Sequence, residues 1–524
     1  MTAELQHQDD GNVTSGRHLS YWLDSTEPIV YTPLEQDIIV DVAIVGGGLS
    51  GLSCAYELTK RNLKVAVLED GYIGSGETGR TTAHLVNALD DRYYDIEKKF
   101  NEEVAKLAAA SHTAAIDYIE RTVQQENIAC DFERLDGYLF LHPTDEESTL
   151  RKELDATQRA AIPTEWVAKM PGIKSDMQAI RFPRQAQFHV MKYLQGLCKA
   201  IVAKGGQIFT NTHVKSVKKE HAETANGKKV TAKHFIVATN TPVNDLVTMH
   251  TKQAPYRTYA IGAAIAKDSI KRALWWDTGD HESKWPTYPY HYARLQPYNE
   301  THDLLIVGGE DHKTGQADEE QISEEQRYRN LQAWTQRHFP SMENVVYRWS
   351  GQVMEPADNL GYIGRNPGDN NIYIVTGDSG NGMTHATIAA MLISDLIQEI
   401  ENPWVKIYDP SRSAIHGARE FLEENLNVAK KYTELLTSGD NITPAKLKNG
   451  EGAIIRSGLS KKAIYKDERG HLHTFSAVCP HLGCIVHWNP DEKSFDCPCH
   501  GSRFTCFGKV VNGPANTDLE TFKQ

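Results

Sequence analysis

The sequence predicts a doubly wound α/β domain with an interleaved α+β lobe on an antiparallel sheet, and a small all-β domain at the C-terminal end. Three observations carry this expectation. The apolar run Val40-Asp41-Val42-Ala43-Ile44-Val45 leads straight into Gly46-Gly47-Gly48-Leu49-Ser50-Gly51 and then a helical stretch. Residues 131–190 and 251–350 mix strand and helix patterns. The last fifty residues hold five of the eight cysteines, between short alternating segments.

The first element reads as G-x-G-x-x-G between a strand and a helix. Leu52–Lys60 continues the helix, and Val65–Leu68 is a second strand ending in Glu69, eighteen residues after Gly51. Gly46 makes the tight turn, Gly48 lets a pyrophosphate approach the backbone, and Gly51 lets the helix pack on the strand. The pyrophosphate then meets a helix N-terminus, whose free N–H groups favour an anion. Glu69 is placed to accept hydrogen bonds from ribose hydroxyls. FAD and NAD share this fingerprint.

Four further segments follow in order. Gly74-Ser75-Gly76-Glu77-Thr78-Gly79-Arg80-Thr81-Thr82 is rich in small residues and hydroxyls. Thr212-His213-Val214 follows a Gly205-Gly206 turn, and Phe235-Ile236-Val237-Ala238-Thr239-Asn240 is another strand. Ile372–Gly377 runs into Asp378-Ser379-Gly380-Asn381-Gly382-Met383-Thr384 and a helix. Over about residues 40–400 the chain resembles the FAD-dependent D-amino-acid oxidase and glycine oxidase superfamily. The resemblance implies a Rossmann-like FAD-binding lobe interleaved with a substrate lobe. Its implied cofactor contacts are Gly46, Gly48, Gly51, Glu69, Arg80, Thr81, Thr82, Val214, Gly377, Gly382 and Met383. Arg80 stands where some relatives attach FAD through histidine, so the FAD is expected to be non-covalent.

Near the C-terminus stand Cys479-Pro480-His481-Leu482-Gly483-Cys484 and Cys497-Pro498-Cys499-His500-Gly501-Ser502. Two Cys and two His also suit tetrahedral zinc, but zinc leaves the second Cys of each box unexplained. The paired boxes resemble the Rieske [2Fe–2S] signature, over residues 446–524. That resemblance implies Cys479, His481, Cys497 and His500 as ligands and a Cys484–Cys499 disulfide tying the loops together. Gly513-Pro514-Ala515 resembles the proline loop that covers such clusters, and Ser502 a serine that hydrogen-bonds a cluster sulfur. Phe504 stands where high-potential members carry tyrosine. Losing that hydroxyl destabilises the reduced state, so an intermediate potential is expected. The combination resembles a subgroup of these flavoproteins with a C-terminal Rieske domain, as do Ser20-Tyr21-Trp22-Leu23-Asp24 and Gly79–Ala83.

The expected organisation is an N-terminal segment (1–35), an FAD-dependent oxidoreductase (36–410), a helical linker (411–445) and the Rieske domain (446–524). Helical spacing marks residues 90–130, 384–400 and 413–437. The 524 residues carry a formal charge of −13, and the 56 basic residues form no long block, which excludes a nucleic-acid binder. No apolar run is long enough for a membrane span, and residues 1–19 lack a signal core. A cytoplasmic location is expected. A disulfide is unusual there, although enclosure beside the cluster would protect it. Cys54, Cys130 and Cys198 read as buried fillers, and Cys506 as a spare near the cluster.

Amino-acid-oxidising relatives anchor the substrate carboxylate with an arginine near the end of the substrate lobe. Here that position is Val353, which cannot make a bidentate pair. Arg257 or Arg294 is left to supply the charge. The aromatic run Trp285–Arg294, containing Tyr290, reads as a packed strand with a pocket wall as the alternative. Within Gly308–Lys313, His312 is a candidate acid–base group, with a surface turn as the plainer reading. The catalytic candidates are therefore His312, Tyr290 and Arg294.

The expected activity is a flavin dehydrogenase. It would oxidise a small metabolite, an amine or amino-acid derivative, and pass electrons through the cluster to an external protein or quinone acceptor. An NAD(P)H-dependent reductase is the alternative, although no second G-x-G-x-x-G follows a strand. A partner-fed reductase or redox sensor without metabolite turnover is the third reading.

Overall fold

The computed structural model describes residues 17–173, 177–243, 249–285, 288–316, 322–413, 418–432, 434, 439–440, 442–458 and 460–522. Residues 1–16 of the expected N-terminal segment, Pro286 and Thr287 of the aromatic run, and several positions of the linker lie outside them. Among the described residues, no helix is long and apolar enough to cross a membrane.

The strand Ile38–Val45 is central because its inward positions are wholly apolar and both its edges are paired. It lies parallel to Val65–Leu68 on one side and to Lys229–Val237 on the other. Ile372–Thr376 and Gln207–Phe209 extend this sheet in parallel, and Tyr362–Arg365 closes one edge antiparallel. Leu49–Lys60 and Gly382–Ile397 pack together on one face, both dominated by small and aliphatic residues. Fully apolar parallel strands are what a sheet covered on both faces needs.

The second sheet is the substrate lobe. Gln253–Ala266 lies antiparallel between Met342–Pro356 and His302–Lys313, and Tyr292–Pro297 pairs with the latter. Leu274–Asp277 then pairs in parallel with Glu133–Phe140, the one departure from antiparallel order among the described strands of this sheet. The helices Tyr93–Lys99 and Glu102–Gln125 fill the region that the helical spacing marked.

The C-terminal unit is all β. A three-stranded sheet (Gly452–Ser457, Ser460–Lys466, Leu472–Ser476) stands beside a four-stranded one (His487–Asn489, Ser494–Asp496, Arg503–Thr505, Val510–Asn512). The helix Ala418–Tyr432 straps it to the first domain. Asn425 donates to the Thr251 carbonyl at 3.0 Å, and the Tyr432 hydroxyl to the Leu482 carbonyl at 2.9 Å.

The glycine turn is tight for a stated reason. Gly46 has φ +107°, and a Cβ at Gly51 would lie 1.9 Å from the Gly46 carbonyl oxygen. That oxygen cannot give way without moving the central strand. Gly51→Ala is therefore expected to cost about 2–3 kcal/mol, read as a lower urea midpoint in equilibrium unfolding.

Candidate functional site

One cavity of about 350 Å³ runs along the C-terminal ends of the parallel strands, where open α/β sheets hold their ligands. Gly46, Gly48, Glu69, Arg80, Thr81, Thr82, Val214, Gly382 and Met383 all line it. Two helix N-termini open on it, Leu49–Lys60 behind Gly48 and Gly382–Ile397 behind Asn381. Neither N-cap residue makes a side-chain cap, and the Leu49 N–H donates to Thr78 Oγ1 at 3.1 Å. Uncapped N–H groups and the helix dipole attract negative charge, which suits a pyrophosphate at one end and an electron-rich ring at the other. The Glu69 carboxylate accepts from the Gly47 N–H at 2.5 Å and the Gly71 N–H at 2.9 Å. Burial pushes its pKa up to about 7.

The far part of the cavity has a different character. Asp90, Asp91, Asp311, Glu355 and Asp378 line it beside Tyr290, Tyr292 and Trp276. Tyr290 hydrogen-bonds Asp90. Ser379 Oγ donates to Glu355 at 2.9 Å and also contacts Asp91. Burial raises Asp90 and Asp91 to about 7 and Asp311 and Asp378 to about 6. Glu355 is raised well above its usual range by burial and then by Asp91. Arg92 and Lys99 pull Asp90 and Asp91 partly back, and His291 and Arg327 do the same for Asp311.

In the C-terminal domain the two Cys/His boxes form facing loops. Cys484 and Cys499 are joined in a disulfide. The sulfurs of Cys484, Cys497 and Cys499 lie within 4.8 Å of one another, but the disulfide removes two of them as donors. What remains is a matched set. The Cys497 thiol hydrogen-bonds Cys479, and the His481 and His500 rings stand edge to face with centroids 4.9 Å apart. Both thiols and His500 are buried, and His481 is half-buried. Two sulfurs and two imidazoles, one of each from each loop, fit a [2Fe–2S] centre with a Cys pair on one iron and a His pair on the other. Ser502 Oγ hydrogen-bonds Cys479 and accepts from the Ala515 N–H at 2.9 Å, which ties Gly513-Pro514-Ala515 to the second loop.

The two sites share a wall. Val510, Val511, Asn512, Gly513, Ala515 and Asn516 of the C-terminal domain line the first domain's cavity. The His481 and His500 rings face His250 of the first domain, at 4.9 and 6.3 Å between centroids.

Residues 41–396 match the FAD dependent oxidoreductase family, and residues 442–523 match the Rieske [2Fe-2S] domain. The chain belongs to the FAD dependent oxidoreductases and carries a Rieske domain. Its cofactors are FAD and a [2Fe–2S] cluster. It is 30% identical to the Rieske 2Fe-2S iron-sulfur protein YhfW of Bacillus subtilis, over 96% of this chain and 97% of that one. Gamma-glutamylputrescine oxidoreductase of Escherichia coli is 27% identical, over 70% of this chain and 86% of that one. The crystal structure of glycine oxidase from Geobacillus kaustophilus shares the fold, with a TM-score of 0.58 at 18% identity, covering 72% of this chain and 99% of that one.

Within this flavoprotein several expected site residues stand elsewhere. Gly51 and Gly377 are not on the cavity wall; the first packs under the glycine turn and the second forms a turn at φ +69°. His312 is not on a surface turn. It lies in the strand His302–Lys313, 2% exposed, with Nε2 3.0 Å from the Tyr259 hydroxyl and Nδ1 2.8 Å from the Lys313 carbonyl. Burial holds it neutral and away from the cavity. Arg294 is fully buried beneath Trp22 and donates to the carbonyls of Thr82, Ala83 and Phe188, so it braces the flavin loop from behind. Arg257 faces Glu492 rather than the cavity. Tyr290 and Val353 do line it.

The carboxylate wall went unread in the sequence. Its signal is the Asp90-Asp91 doublet and the acids Glu355 and Asp378, each beside a segment that lines the cofactor cavity. The folded protein holds extra protons on these groups, so with the far pocket empty its stability should fall as pH rises from about 4 to about 7. An ammonium compound should bind more tightly across the same rise, once the carboxylates ionise. Melting temperature against pH, with and without an alkyl diamine, checks both slopes.

Proposed function

We propose that this protein is a dehydrogenase for a cationic amine that sends electrons from FAD to a cluster held by Cys479, His481, Cys497 and His500, and then to an external acceptor. When bound, FAD would supply the hydride acceptor for the carbon beside the substrate nitrogen, and the cluster would supply one-electron transfer. The observation that carries the reading is the set of five carboxylates that line one cavity together with Val353. An amino-acid substrate brings a carboxylate that this wall repels, and Val353 offers it no partner. A substrate with a protonated amine gains an opposite charge in a site with little water. The likeness to gamma-glutamylputrescine oxidoreductase supports the same class.

The residues divide the work. Asp91, Glu355 and Asp378 hold the cation, while Tyr290 and Tyr292 shape the space around the reacting carbon. Asp90, raised to about 7 by burial and hydrogen-bonded by Tyr290, is matched to taking the proton that the ammonium loses before hydride departure. The cluster histidines face the flavoprotein's own lobe, which favours transfer within one chain.

An anaerobic EPR spectrum after mixing with pooled amines should show a reduced Rieske signal, with a dithionite-reduced sample as reference. A signal from NAD(P)H alone would replace this reading with the reductase one. His500→Ala should abolish the signal while substrate still bleaches the flavin. Loss of bleaching in a folded variant would contradict the order flavin, then cluster. Asp90→Asn should lower kcat/KM by about 10²-fold or more and flatten its rise near pH 7.

A further inference from the structure

Glu492 belongs to the Rieske domain yet sits among residues of the flavin lobe. It is 2% exposed. Its Oε1 accepts from Arg257 Nη2 at 2.8 Å and from Ser350 Oγ, and it lies 3.9 Å from Arg80 Nη1. Its other oxygen accepts from the Arg17 N–H. Arg257 is 1% exposed and Arg80 3%. Burial would push the Glu492 carboxyl up, but Arg257 and then Arg80 hold it well below the usual carboxylate range, so it is a charged group sealed away from water.

Arg80 lines the FAD cavity, and so does Glu77 three residues earlier. Glu77 is gripped by the Rieske domain as well: its Oε1 accepts from Asn512 Nδ2 at 2.8 Å, while its Oε2 accepts from the Gln352 N–H at 2.7 Å. Gln352 in turn donates to the Gly501 carbonyl, next to His500, at 3.1 Å. Asn516 donates to the carbonyls of Val214 and Lys215 at 3.1 and 2.9 Å, at the opposite end of the same wall. The seat is close as well as polar. A Cβ on Gly513 would lie 2.5 Å from Thr241 Oγ1, and one on Gly501 2.6 Å from Pro255 Cβ.

We infer that Glu492 is a positioning residue for the flavin site: by pinning Arg80 and Arg257 it seats the Rieske domain as the outer wall of the FAD cavity, so that FAD retention and cluster seating are one linked equilibrium. The inference rests on the assignment of this cavity to FAD and of the C-terminal boxes to the cluster. Undocking the domain removes residues 510–516 from the cavity wall and frees the 77–80 turn together. A ligand that binds only the closed form favours closure by its differential affinity, and closure slows its escape in return.

The test uses full-length holoenzyme with FAD and iron content measured first. Glu492→Gln keeps the shape and takes the nearest counter-charge from two buried guanidinium groups, leaving Asp496 and Glu77 as their remaining acids. At wild-type cluster content it should release FAD about tenfold faster or more after dilution, followed by flavin fluorescence. It should also slow cluster reduction in stopped flow by a similar factor, with substrate bleaching of the flavin slowed less. Asn512→Ala breaks the second grip without stranding a charge, and should speed FAD release by about two- to fivefold. It answers the question if Glu492→Gln does not fold. Adding Arg257→Met to Glu492→Gln removes one stranded charge and should recover part of the retention, which a general loss of stability would not predict. Wild-type FAD release in folded Glu492→Gln, or in Asn512→Ala where Glu492→Gln fails to fold, overturns the inference. Wild-type protein lacking FAD or the cluster would instead overturn the assignments beneath it.

Discussion

A carboxylate sealed between two guanidinium groups decides how the two halves of this molecule meet. Taking Glu492, Arg257 and Arg80 out of water carries a large desolvation penalty, and only close mutual contact offsets it. Such a contact adds little net stability, but it is unforgiving of position: a small shift leaves a bare charge in a dry interior. The location of the Rieske domain is therefore specified more sharply than apolar packing alone could specify it. The 77–80 turn inherits that definition, because two of its residues belong to the contact.

The cavity carries an ordered charge pattern. At its cofactor end the backbone dominates, through two helix N-termini whose partial positive charge costs no side chain. Side-chain carboxylates gather beside the second of these helix starts, where Asp90 hydrogen-bonds Asn381 and Asp378 lies against Gly382, crowded enough to repel one another and bind protons at neutral pH. Arg92, Lys99, His291 and Arg327 temper the acidic groups from behind the wall.

Elements whose signal is local were legible in the sequence. The strand–Gly46–Gly51–helix unit follows from turn sterics and anion binding at a helix end, and the Cys/His boxes from donor chemistry, so both could be read from short segments. The helix at 413–437 was legible from its spacing, and the described helix covers Ala418–Tyr432. The substrate end was not legible, because its carboxylates come from four separated stretches and each alone looks like a surface acid. His312 and Arg294 were misleading for the same reason. A histidine or arginine in a sequence has no visible partner, and here Tyr259 and the carbonyls behind Thr82 engage them. The Rieske domain's share of the cavity wall had no signal at all, since segments 149 to 435 residues apart carry no mark of their meeting.

The strands Gln253–Ala266 and Met342–Pro356 serve two masters. Thr258, Gly351, Gln352, Val353 and Glu355 look onto the cavity, while Pro255, Arg257 and Ser350 meet the cluster domain. The two family matches are separable as stretches of sequence, yet the molecule is not modular. A lineage that retunes its substrate by altering these strands disturbs the seat of its own Rieske domain, and must change residues near 492 and 501 in step. Grafting this Rieske domain onto another oxidase of the same fold would carry the cluster but not the fit. Substrate pocket and cluster seat are here inherited as a single trait.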